Sequence, residues 1–396
     1  MSKAVFFNVP ASGHVNPSLP LIAELVKRGE QITVYLTEGY RSRVEATGAA
    51  FVPYPNMTDN YFEQRGLDGS NPPHTARRLM ELSIEMLDLY VEPLRAEGID
   101  YVIYDAMCPW GNLIGQVLGV SRISSMALLF LKASDLSRRQ TFRILRRGLP
   151  HLLPFARARS AIRRQWKDVK PPSLTQTLIA PADLTISYTS AEFQPNSAAF
   201  GDQVRYVGPS IAPRTDTTNF PFDRLSDKPL IYVSLGTVIN DNPDFFRACL
   251  DAFRDQPYQL VLSIGERVRL QELGAIPMNA IVRPFVPQLD VLQRAALFIT
   301  HAGLNSVHEG LYYGVPLIVV PQQVEQQYTA NRIVQLGAGV KLDNATPTAD
   351  QLHSAVERVL NDLAFKGAAE RLGAGLKAAG GQVRGAEEII GWVKGQ

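Results

Sequence analysis

Apolar residues along the chain fall into two kinds of stretch. Runs such as "KAVFF", "QITVYL" and "YVIYD" are apolar almost throughout, while the segments between them place apolar residues every three or four positions. The first pattern fits strands buried on both faces and the second fits amphipathic helices. Their alternation predicts an α/β fold with a parallel sheet built from βαβ units. In the N-terminal half the runs place strands at Ala4–Val9, Gln31–Leu36, Ala50–Pro53, Tyr101–Tyr104, Leu184–Ser187 and Val204–Val207. The first helix is expected to start near Asn16 as N-cap, with Pro17 in its first position and Gly29 as its stop. A long helix, "ARRLMELSIEMLDLYVEPLRAEG", precedes the fourth strand.

A proline-rich polar stretch, "GPSIAPRTDTTNFPFDRLSDKP", then interrupts the pattern and marks a linker. Beyond it the alternation restarts, with strands at Leu230–Ser234, Gln259–Ser263, Ala280–Arg283, Leu297–Thr300, Pro316–Val320 and Gly339–Leu342. At 396 residues the chain exceeds the roughly 250–300 at which single cores stop growing, so two doubly wound domains in tandem are expected. Their boundaries fall at 1–208 and 229–380, joined by a linker over 209–228. The last segment, 381–396, contains a helix over Gly385–Lys394 that is expected to cross back onto the first domain.

An open doubly wound sheet binds ligands beyond the carboxyl ends of its strands where the order reverses, between strands one and four. In the first half these ends carry His14, in "FFNVPASGHVNPSLP", and Asp105. In the second they carry Ser234 and Thr237, in "SLGT", and His301. A single polar residue at a strand end is usually a satisfied turn residue, but polar groups at both switch points favour chemistry. After strand four of the second half comes "THAGLNSVHEGLYYGVP". A helix start there offers backbone N–H groups and a dipole to an anion. Ala302 and Gly303 allow a phosphate close approach, and His301, Asn305 and Ser306 add donors; the alternative is a capped core helix. Glu325 and Gln326, beyond strand five, suit the vicinal hydroxyls of a sugar, or else a plain helix start. Phe285 either stacks under a base or packs in the core.

Composition narrows the classes. A formal net charge of +2 excludes a dedicated polyanion binder, and no nucleic-acid partner is expected. Two distant cysteines, Cys108 and Cys249, make neither a metal-ligand spacing nor a disulfide framework. With no secretory h-region and no spanning apolar run, a reducing, cytoplasmic location is expected. The exception to the charge balance is the basic 138–167 region. It is read as a solvated helical face, with weak contact to an anionic membrane surface or an acidic partner as the alternative.

The run "FVPQLDVLQRAALFITHAGLNSVHEGLYYGVPLIVVPQQVEQQ" resembles the nucleotide-sugar signature of UDP-dependent glycosyltransferases. The segment "GHVNPSLPLIAELVKRGEQITVY" is similar to the bacterial members that glucosylate macrolides and flavonoids. The resemblance spans nearly the whole chain. It implies a GT-B fold, two Rossmann-like domains facing each other across a cleft, with acceptor bound by the first and nucleotide sugar by the second. It also implies His14 as general base and Asp105 as its orienting partner. Phe285 takes the place of the tryptophan that stacks on uracil in plant members, Val286 faces the base edge, and Gln288 and Glu309 the ribose hydroxyls. Thr237, His301, Asn305 and Ser306 match the diphosphate contacts, beside Gly303, and Glu325 and Gln326 the sugar-binding pair. Ala302, Leu304 and Glu325 depart from the plant pattern, which has cysteine, tryptophan and aspartate there.

The reaction so implied is inverting transfer of glucose from UDP-glucose to a hydroxyl of a flavonoid, another phenol or a macrolide. No D-x-D motif occurs, so no metal and no cofactor are expected; the helix end would hold the diphosphate. A thymidine diphosphate sugar is the alternative donor. Met57, Tyr61, Phe62, Met86, Met107, Trp110 and Phe130 are candidates for an apolar acceptor cleft, though each also suits a core. A sugar-nucleotide epimerase of the same architecture is the rival from another class, and a non-catalytic nucleotide-sugar-binding module a further one. A Ser12-His14-Asp105 hydrolase fails because no G-x-S-x-G elbow is present.

Overall fold

A computed structural model describes residues 2–67, 71–130, 138–179, 181–212, 219–236 and 240–395. The chain forms two compact units, Met1–Ile211 with Ala379–Gln396, and Ala212–Ala378.

The first unit holds seven parallel strands: β1 (Lys3–Phe7), β2 (Gln31–Leu36), β3 (Ala50–Pro53), β4 (Tyr101–Asp105), β5 (Ser121–Met126), β6 (Leu184–Ser187) and β7 (Val204–Tyr206). They lie in the order 3-2-1-4-5-6-7, so the order reverses between β1 and β4, where Phe7 pairs with Tyr104. Six of these strands follow from their apolar runs. The seventh, β5, has the sequence "SRISSM" and no such run, yet it lies between β4 and β6 with Ser124 and Ser125 buried. Small side chains suit a central strand whose neighbours fill the space, and the Ser125 hydroxyl is satisfied by the Tyr188 hydroxyl at 2.8 Å.

The first helix differs from expectation. It runs over Ser12–Lys27 with Ala11 extended at its N-cap position, so Pro17 and Pro20 lie inside it. Asn16 is not its cap: the Asn16 side-chain oxygen accepts from the Arg43 guanidinium at 2.6 Å. The amides of His14 and Val15 already close on the Ala11 carbonyl at 2.9 and 3.0 Å, which starts the helix before either proline can interfere. His14 therefore sits in the first turn of a helix rather than in the loop ahead of one. The final helix, Gly381–Lys394, packs on this first one, with Ala386 and Ile389 in the same buried cluster as Leu21 and Ile22. Gly385 lies where a Cβ would come within 3.1 Å of Leu21, and Glu387 pairs with Arg28 at 3.2 Å.

The second unit repeats the plan with six parallel strands: β8 (Leu230–Ser234), β9 (Gln259–Ser263), β10 (Ala280–Arg283), β11 (Ala295–Thr300), β12 (Leu317–Val319) and β13 (Gly339–Lys341). Their order is 10-9-8-11-12-13, which again reverses between the first strand and the fourth. Phe245, Phe246, Leu250 and Phe253 of one covering helix and Leu352, Val356 and Val359 of another share one buried cluster with the sheet. Among the described residues no helix is long and apolar enough to cross a membrane.

Candidate active site

Each unit carries a polar constellation beyond the carboxyl ends of its central strands. In the first, β4 ends in Asp105, which is 1% exposed, and the helix after β1 brings His14 onto it with Nδ1 2.7 Å from Oδ2. The other carboxylate oxygen accepts from the Met107 backbone N–H at 2.8 Å. A carboxylate can only accept, so Nδ1 carries the proton and Nε2 keeps its lone pair for a proton from elsewhere. Burial alone would lower the pKa of His14. The charge of Asp105 and its hydrogen bond outweigh that effect, and the imidazole is raised above its ordinary value near 6.5.

Asn8, which sequence reading missed, fixes the turn that presents His14. Its side-chain amide donates to Ser18 Oγ at 2.9 Å, and its backbone carbonyl accepts from the Tyr54 hydroxyl at 3.1 Å. The only signal was a polar residue inside the apolar run "FFNVP".

Six of the seven candidates for an acceptor cleft gather in one cluster, and Phe130 stands apart. Trp110 is fully buried and meets Tyr54 edge-on at 6.3 Å, so it is core rather than lining. Met57, Phe62 and Met86 belong to the same buried cluster, with Tyr61 and Met107 partly exposed against it. Phe130 sits in a separate small cluster with Met126 and Val204, stacked on Phe200 at 4.7 Å.

In the second unit His301 follows β11 directly and occupies a slot between two glycines. A Cβ at Gly236 would lie 2.6 Å from the ring Cε1, and one at Gly303 would also strike the ring. Gly236 has φ +82°, and the buried Ala302 is held at φ +69°, an uncommon conformation for a residue with a side chain. Burial pushes His301 down to about 4, opposed in part by a hydrogen bond to the Ser234 backbone. At neutral pH the ring is therefore uncharged, and its single N–H is engaged by the Ser234 backbone, so it presents no full positive charge to an anion. The helix Leu304–Tyr312 starts beside it with Gly303 at the N-cap, which supplies no side-chain cap. Asn305 and Ser306 lie in its first turn, half-buried. Thr237 lies outside the described residues, as does the side chain of Glu325.

Gln288 opens a short helix after β10 and donates from Nε2 to Glu309 Oε2 at 2.5 Å. Gln288 Oε1 accepts from the Tyr232 hydroxyl at 3.0 Å, which fixes the orientation of the amide. Tyr232 lies in β8, 1% exposed and stacked on Phe298 at 4.8 Å; in the sequence it is one more residue of an apolar run. Phe285 stands 47% exposed on the loop after β10, with Val286 half-buried beside it. Gln326 is already engaged locally: its Oε1 accepts from the amides of Gln322 and Gln323 at 2.8 and 3.1 Å, closing a capping box. Only its Nε2, 3.3 Å from Gln323 Oε1, is left to donate. Among the described residues no cluster of three or more His, Cys, Asp or Glu could hold a metal ion.

Two doubly wound parallel domains, each with polar groups at its switch point, are the architecture of the GT-B fold. Residues 222–376 match the family model described as UDP-glucoronosyl and UDP-glucosyl transferase. The chain is 32% identical to the uncharacterized UDP-glucosyltransferase YojK of Bacillus subtilis, over 100% of this chain and 98% of that protein. It is also 32% identical to the NDP-glycosyltransferase YjiC of Bacillus subtilis, over 98% and 96% of the two. The crystal structure of the kitacinnamycin glycotransferase superposes with a TM-score of 0.84, at 27% identity and 98% coverage of both chains. The chain belongs to the UDP-glycosyltransferase family and is a glycosyltransferase, an enzyme class that takes a nucleotide sugar as donor and a small molecule as acceptor.

Proposed function

We propose that this glycosyltransferase moves glucose from UDP-glucose to a hydroxyl of a small apolar acceptor, a phenol, flavonoid or macrolide, with inversion and without a metal. The observation that carries the reading is the His14–Asp105 pair, with Nδ1 held on the carboxylate and Nε2 left as the base. In the reaction Nε2 takes the acceptor hydroxyl proton while that oxygen forms a bond to the anomeric carbon. The bond from that carbon to the diphosphate oxygen breaks, and the nucleoside diphosphate leaves with the electron pair. The charge it gains would be met by the start of the Leu304–Tyr312 helix, with the His301 ring packed beside it. The names of the two relatives support a nucleotide-sugar donor: one specifies UDP and glucose, the other leaves the base open. Incubation with UDP-glucose, TDP-glucose and a panel of phenols and macrolides, read by product mass, tests the reading. Hydrolysis of the donor with no glycosylated product would contradict it.

Three expectations accompany it. Turnover should survive EDTA, because the helix N-terminus would meet the diphosphate charge that a metal would otherwise neutralise. Complete loss restored by magnesium or manganese would refute metal independence.

Asp105→Asn should move the acid limb of the kcat/KM profile to lower pH while lowering the maximum rate. Asp105 is what raises His14, and without it burial alone acts and lowers the imidazole. The base must be neutral, so activity is lost as pH falls through its pKa. An unmoved acid limb would show that His14 is not the titrating base.

Tyr232→Phe should raise the KM for the donor by roughly two- to ten-fold with kcat little changed, the size of one net hydrogen bond. Its role is to orient Gln288. A fall in thermal stability with no change in KM would reduce Tyr232 to packing.

A further inference from the structure

The helix Arg138–Gln165 packs one face on the helix Pro72–Glu97, burying Phe155, Ala158 and Ile162 in the main cluster of its unit. Its outer face carries a second apolar stripe. Leu149, Leu152 and Leu153, at i, i+3 and i+4, are 67%, 47% and 59% exposed, and Ala156 extends the row. Exposed arginines lie on the same stretch of helix: Arg146 and Arg157 beside the leucines, and Arg147 on the flank. No acidic residue occurs between Asp135 and Asp168, although the whole chain is nearly neutral. Elsewhere several exposed arginines pair with a carboxylate one helical turn away, as Arg41 does with Glu38, Arg95 with Glu92 and Arg254 with Asp251. Among the described residues, Arg146, Arg147 and Arg157 make no ion pair.

We infer that this face docks on an anionic lipid surface, with the helix lying in the plane of the interface. The arginines alone would suit any polyanion. Three leucines held out in water among them favour lipid, because an acidic polymer gives them nothing to bury against, whereas the headgroup–acyl boundary takes apolar side chains and phosphates together. The interaction is weak and salt-sensitive by construction, since it rests on one short stripe and a few charges. It would bring the acceptor-binding unit to the bilayer, where apolar hydroxylated molecules accumulate.

Co-sedimentation of the full chain with vesicles tests this, using phosphatidylcholine alone and phosphatidylcholine mixed with phosphatidylglycerol. Binding is expected to the anionic vesicles, weakening as salt rises, and not to the neutral ones. Changing Arg146, Arg147 and Arg157 together to Gln should lower partitioning on the order of 100-fold, at about five-fold per arginine near an anionic leaflet. Changing Leu149, Leu152 and Leu153 to Ser should lower it by at least about ten-fold, because each removes buried methylene groups. Turnover on a water-soluble acceptor and the melting temperature should stay near the parent in both variants. Failure to sediment with anionic vesicles would overturn the inference, as would equal binding to neutral ones. Binding lost in the arginine variant but unchanged in the leucine variant would overturn it too, and would assign the face to an acidic polymer or protein.

Discussion

His14→Ala is expected to lose roughly 10²–10⁴-fold in turnover on aliphatic alcohols, the usual worth of a positioned general base. An alcohol oxygen cannot attack usefully while it holds its proton, and in the first unit His14 Nε2 is the basic atom left available by the Asp105 contact. Donor affinity should be nearly unchanged, because the proposed donor contacts, Gln288, Glu309 and the Leu304–Tyr312 helix with His301 beside it, all belong to the other unit. Calorimetric titration with UDP alongside steady-state rates separates the two. A parallel fall in UDP affinity and in rate would mean that the substitution had disturbed more than the base.

The second large effect is expected at a glycine. Gly236→Ala should lower turnover on the order of 10²–10³-fold, the size of losing one preorganised group beside developing negative charge. The added methyl would lie 2.6 Å from the His301 ring, in a backbone conformation of φ +82° that alanine rarely adopts. The ring must leave its slot, so Gly236→Ala and His301→Ala should cost similar amounts, and the double variant little more than either alone. Additive losses would show that the glycine acts independently of the histidine. A melting curve near that of the parent ensures that the comparison concerns the site.

Most of the architecture was legible because parallel strands buried on both faces leave continuous apolar runs. β5 escaped because its serines are buried beside larger neighbours, where small side chains pack well and local sequence shows no period. The start of the first helix was misplaced for a related reason. Asn16 and Pro17 carry a strong local signal for a helix start, but the closing of the His14 and Val15 amides on Ala11 sets the boundary earlier. At the site, His14 and Asp105 could be paired from the switch-point rule, since one follows the end of β1 and the other ends the adjacent β4. Asn8 and Tyr232 could not: each acts through a hydrogen bond to a residue distant in sequence and looks like part of a strand. The apolar acceptor residues were the least legible, because Met, Phe and Trp are as suited to a core as to a cleft, and Trp110 turned out to be core.

The central claim, that His14 removes the acceptor proton, is tested most directly by acceptors of graded acidity. Rates of the parent and of His14→Ala would be measured with UDP-glucose on a series from aliphatic alcohols to nitrophenols. The account predicts a gap between the two enzymes that is largest for the alcohols and closes steadily as the acceptor becomes more acidic, since an acidic phenol sheds its proton without help. A gap of constant size along the series, or an alanine variant as fast as the parent on an aliphatic alcohol, would contradict it.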